Sequence, residues 1–153
     1  MTPVSLTARN FTFTHRLING TLEGITHEES LFQPPNGGNS INWILGHIAF
    51  YRDVMLEKLG EKCVWTDTET TACYERGSKL LSESGKSVEL SKLLEIYNNS
   101  QPILLAAIDR LGNSPTEDGK LEESIAFSNF HEAYHLGQIS MLRRTLGKES
   151  IIK

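Results

Sequence analysis

Apolar residues recur at three- to four-residue spacing in four long stretches of this chain, a rhythm that leaves little room for a sheet. The first stretch runs from Leu6 to Ile25, with Phe11, Leu17, Ile18, Leu22 and Ile25 on one stripe. It is the least regular, because Thr12-Phe13-Thr14 and Gly20-Thr21 are poor helix formers. The second, Ile41 to Leu59, keeps Ile41, Ile44, Leu45, Ile48, Tyr51, Met55 and Leu59 in phase. Ser40 or Asn39 can cap its start, and Gly60 its end. The third, Ser91 to Leu111, is expected to kink at Pro102. The fourth runs from Leu121 to Leu146 and stops at Gly147. Residues 32–39 and 112–119 read as loops. The 61–90 connection is too long for a tight hairpin, and a short helix is expected within it over Thr71 to Leu81. The pattern predicts an all-α fold, a four-helix bundle with one long crossover between the second and third main helices, spanning residues 1–153 as a single domain.

Charge and composition narrow the function. The net charge is −4, from 15 basic and 19 acidic residues, and the basic residues are scattered. A nucleic-acid partner needs a clustered basic footprint, and polybasic membrane docking needs the same. No apolar run approaches a membrane span, and the first residues do not read as a signal peptide, so a cytoplasmic location is expected. Cys63 and Cys73 are spaced too widely for a CxxC redox motif and are expected to be reduced and structural.

The fourth stretch carries the chemistry. With His131 set at zero on a helical wheel, His135 falls at about 40°, Gln138 at about −20° and Leu142 at about 20°. Tyr134 and Met141 flank this face, so the histidines are expected to point into the bundle. A buried imidazole must be paired, and two histidines at i and i+4 can share one metal ion. Of the other three histidines, His47 is best placed, on the Trp43, Ile44 and Tyr51 face of the second helix. His15 lies on the weak first helix, and His27 near a helix end, in solvent. His47, His131 and His135 are therefore the expected ligands of an open site, with zinc the default ion and nickel also suited to imidazole. Gln138 and Tyr134 are candidates for orienting a ligand or substrate. His131-Glu132-Ala133-Tyr134-His135 formally matches the zinc-protease pattern. No edge strand is evident to align a peptide and no third ligand lies downstream of His135, which weakens that reading. Glu132 falls at about 100° on the wheel, off the ligand face, and reads as an ordinary solvated carboxylate. Glu123, on the other flank, either looks toward the site or is solvated.

Asn42-Trp43-Ile44-Leu45-Gly46-His47, followed by His131-Glu132-Ala133-Tyr134-His135-Leu136-Gly137-Gln138, resembles the DinB/YfiT-like superfamily of metal-binding four-helix bundles. The resemblance implies a three-histidine site for zinc, nickel or a related ion at His47, His131 and His135. It also implies a homodimer. Some members are similar to transferases that use a low-molecular-weight thiol such as bacillithiol, mycothiol or glutathione. The leading expectation is a metal-dependent enzyme that transfers such a thiol to a small electrophile. A hydrolase using metal-bound water and a non-catalytic, metal-stabilised bundle are the alternatives.

Overall fold

A computed structural model describes residues 3–112 and 116–152, and all regular structure among them is helical. Four long helices dominate: α1 (Pro3–Leu22), α3 (Ile41–Lys58), α6 (Leu90–Leu111) and α7 (Lys120–Thr145). Both α1 and α3 pack against α6 and α7, so the four close into a ring whose interior holds two apolar clusters. Shorter pieces fill the connections: α2 (His27–Ser30), α4 (Thr68–Thr71) with a 3-10 turn over Ala72–Tyr74, and α5 (Leu81–Ser84). The all-α expectation holds, but the described chain has seven α-helices rather than four. Of the 112–119 loop, residues 113–115 lie outside the described residues.

The differences from the expected boundaries have local causes. α1 stops at Leu22 rather than Ile25, because Gly24 adopts a left-handed φ of 73° and Thr26 starts a new helix. Thr26 and Glu29 cap each other: the Glu29 N–H donates to Thr26 Oγ1 at 3.1 Å, and the Thr26 N–H to Glu29 Oε2 at 2.9 Å. The single helix expected over Thr71–Leu81 is instead three short pieces, broken around Gly77, whose φ is 82°. α6 runs through Pro102 as one helix.

The long link between α3 and α6 is pinned to α3 at two heights. Asp53 accepts from the backbone N–H groups of Val64, at 2.9 Å, and Trp65, at 2.7 Å. Eleven residues earlier on the helix, buried Asn42 donates to the Val88 carbonyl (2.9 Å) and accepts from the Tyr74 hydroxyl (2.9 Å). Tyr74 is itself fully buried on α3, over Gly46. A Cβ at position 46 would stand 2.1 Å from the Tyr74 ring, so only glycine allows this approach. The link thereby reaches the next residue, His47.

Candidate metal centre

His47 projects from the middle of α3, whose start is capped by Ser40 Oγ accepting from the Trp43 N–H at 3.3 Å. Trp43, one turn before it, stacks on the His47 ring at 4.4 Å. His131 and His135 lie one turn apart on α7. The Nε2 atoms of His47 and His131 are 3.1 Å apart, and those of His135 and His131 3.0 Å apart. One ligand atom from each of the three histidines lies within 4.8 Å of the others. Two nitrogens on one tetrahedral ion would stand about 3.3 Å apart, so the cluster is already close to the size of a metal's ligand set.

Hydrogen bonds behind the rings aim their lone pairs. His47 Nδ1 lies 2.8 Å from the Tyr74 carbonyl, which can only accept, so the proton sits on Nδ1 and leaves Nε2 bare. His135 Nδ1 lies 2.6 Å from Gln138 Oε1, which fixes the same tautomer. The Gln138 amide nitrogen donates in turn to the Tyr134 hydroxyl at 3.3 Å. Burial holds the rings neutral. Desolvation, then the charges of His135 and His47, lowers the His131 pKa to about 4. Desolvation likewise lowers His135 to about 4, against the opposing Gln138 hydrogen bond. His47 is lowered by desolvation, against its bond to Tyr74. At neutral pH the cluster therefore offers uncharged imidazoles, the form that binds metal.

The orientation of α7 differs from the expected one. Its buried stripe runs through Ile125, Glu132, Leu136, Ile139 and Leu142, while Phe127, Phe130, Tyr134 and Met141 are more than half exposed. The bundle centre thus falls near Glu132 and Ile139, and the histidines sit at the edge of the buried face. His47 and His135 are buried, and His131 is only partly so. Gly137 has open space beyond it and marks no close helix contact.

Glu132 is therefore not a solvated carboxylate. It is 1% exposed and forms a two-pronged ion pair with fully buried Arg52 of α3, at 2.6 and 2.9 Å. Arg52 also donates to Ser100 Oγ at 3.2 Å and to the Tyr97 carbonyl at 3.3 Å, and lies over the Tyr97 ring. A carboxylate sealed in an ion pair at the bundle centre faces Arg52 and not the histidine cluster, so it is not placed to act as a protease base. Arg52 was legible in principle, because it shares the helical phase of Ile48 and Met55. The Tyr74 carbonyl had no sequence signal at all.

The remaining candidates fall elsewhere. His15 stacks on Tyr97 beside Arg52, and its pKa is lowered to about 4 by desolvation and then by the Arg52 charge. His27 is less solvated than expected: its Nδ1 accepts from the Leu90 N–H at 3.2 Å, at the start of α6. Cys63 and Cys73 are free thiols, and neither belongs to the histidine cluster. Burial and a hydrogen bond to Glu57 push the Cys63 thiol up to about 11, which makes it a poor nucleophile. Glu123 is exposed and lines a groove that ends at His131.

The sequence profile of the DinB superfamily matches residues 10–139. The chain belongs to the DinB superfamily. This DinB protein has the fold of a conserved protein from Enterococcus faecalis whose crystal structure is known. The two are 18% identical, with a TM-score of 0.76 over 97% of this chain and 99% of the other. No curated protein matches the DinB chain described here. Among its described residues, no helix is long and apolar enough to cross a membrane.

Proposed function

We propose that this DinB protein binds a divalent metal ion, zinc first and nickel second, through Nε2 of His47, His131 and His135, and uses the open position for chemistry. The observation that carries the reading is the convergence of three imidazoles, two with tautomers set by the Tyr74 carbonyl and by Gln138. Three protein ligands leave a position free, the arrangement typical of catalytic rather than structural zinc. A bound ion would supply Lewis acidity, lowering the pKa of a thiol or water beside it. Gln138 holds His135 in place and Tyr134 holds Gln138, so both are positioning residues.

The reaction we favour is transfer of a low-molecular-weight thiol to a small electrophile. The thiol gives up its proton, its sulfur forms a bond to the electrophilic carbon, and the leaving group or the carbon's π-electrons take up the displaced pair. Family membership supports this choice over hydrolysis by activated water or a purely structural ion. The same reading makes the protein a cytoplasmic homodimer with no nucleic-acid or membrane partner, in keeping with its acidic balance. The exposed α7 stripe of Phe130, Tyr134 and Met141 is the apolar surface available to a second copy.

The test is to incubate cobalt-loaded protein with small thiols and a panel of electrophiles. We expect thiol-dependent turnover and a thiolate charge-transfer band, both lost in His47→Ala. Turnover without thiol would select the hydrolase. A cobalt spectrum unchanged by thiol or any other added ligand would select the structural ion.

A further inference from the structure

We infer that the groove between α3 and α7 binds the tail of an elongated, carboxylate-bearing small molecule, its head at the metal position and its carboxylate at Lys58. This rests on the open metal centre proposed above and names the class of molecule that centre acts on.

The groove encloses about 480 Å³, within the range usual for small-molecule sites. His131 lies in its wall, and so do Lys58 and Lys120. The two helices run antiparallel: His47 meets His131, while the Lys58 ammonium donates to Ser124 Oγ at 3.3 Å. Lys58 stands eleven residues beyond His47 on α3, and Lys120 eleven residues before His131 on α7. At 1.5 Å per residue, each lysine backbone is ~16 Å along its helix from a cluster histidine. Between the two ends the wall is mainly apolar, with Tyr51, Val54, Met55 and Phe127. A ligand that fits therefore has a metal-binding head, an apolar middle and a charged tail.

The sign of the tail follows from how the wall's charges are used. Lys120 is paired with Asp118 at 2.8 Å. Lys58 has only the Ser124 hydroxyl and no carboxylate partner among the described residues. It is the wall cation left to meet an anion. Glu123 stands in the same wall and opposes it, favouring a tail with a single negative charge.

The test uses cobalt-loaded protein and two series of hydroxamates, whose head binds metal whatever reaction the protein performs. One series ends in a methyl group and the other in a carboxylate, at matched chain lengths. Affinity is read from the cobalt visible spectrum. We expect no carboxylate preference for short chains and a preference of about tenfold once the chain spans the groove, a difference of about 1.4 kcal/mol. The preference should shrink in Lys58→Ala, grow in Glu123→Gln and weaken in high salt. All three responses concern exposed side chains, and circular dichroism checks that the fold is kept. Equal binding of the two series at every length would overturn the inference, as would a preference unchanged in Lys58→Ala. If no hydroxamate of either series alters the cobalt spectrum, the open coordination position fails first and this ligand falls with it.

Discussion

Adjacent residues of α7, His131 and Glu132, enter two polar clusters built in opposite ways. Glu132 is sealed inside the bundle, and its carboxylate is matched by Arg52, which is matched in turn by Tyr97 and Ser100. His131, His135 and His47 sit at the edge of the same interior with their Nε2 atoms facing one another. The first cluster completes its own bonding. The second leaves lone pairs that only a proton or a metal can satisfy. A closed cluster fixes the register of α3 against α7, and an open one exploits that register. Since Arg52 and His47 share α3, and Glu132 and His131 share α7, the ion pair fixes the spacing on which the histidines depend.

The comparison breaks most visibly at the ion pair. Arg52→Met or Glu132→Leu alone strands a buried charge, and we expect a loss of about 3–5 kcal/mol in urea denaturation. The double variant should recover most of that stability. If each single variant is as stable as the parent, the pair does not hold the register. The histidine cluster should behave differently. Zinc at a hundredfold excess over its Kd should add about 2.7 kcal/mol, measured as a rise in midpoint. Chelation should remove that increment but leave a helical protein, because the core and ion pair do not include the metal. His47→Ala should abolish the zinc response at little cost to the metal-free fold.

Smaller effects sharpen the contrast. Gln138→Ala frees the His135 ring, and we expect at least a tenfold loss of zinc affinity by competition with a chelating dye. Acid provides the mildest test. His15, His131 and His135 have folded pKa values of about 4, below the unfolded value of 6.5. The unfolded chain therefore binds more protons between those values, so stability is complete above pH 6.5 and declines as pH falls toward 4. His15 and His131 are only partly buried, so solvent screening blunts their contributions. A flat stability profile across that window in metal-free protein would contradict the neutral, desolvated cluster.

Much of this was readable from residues alone. The three- to four-residue spacing placed the long helices within a few positions, and the His-x3-His pair with His47 named the cluster. The rotation of α7 was not readable. Tyr134 and Met141 flank the face expected to point inward, yet they are exposed. Glu132 looks like a surface residue, yet it lies at the centre. Hydrophobic patterning fails on this helix because one of its most buried positions, Glu132, is a charge, and a charge belongs inside only when its partner is known. That partner, Arg52, comes from another helix.

By itself, the sequence determined that the chain is helical and that three histidines are available as ligands, because helical spacing and side-chain chemistry are local properties. Only the tertiary structure decided which way α7 faces and what stands behind each imidazole. It also decided that a groove leads from the cluster to Lys58. Those depend on atoms far apart in the chain: the Arg52 guanidinium that turns Glu132 inward, and the Tyr74 carbonyl that leaves His47 Nε2 unprotonated. No periodicity encodes contacts of that kind, because each is settled by the packing of whole helices and the link between them.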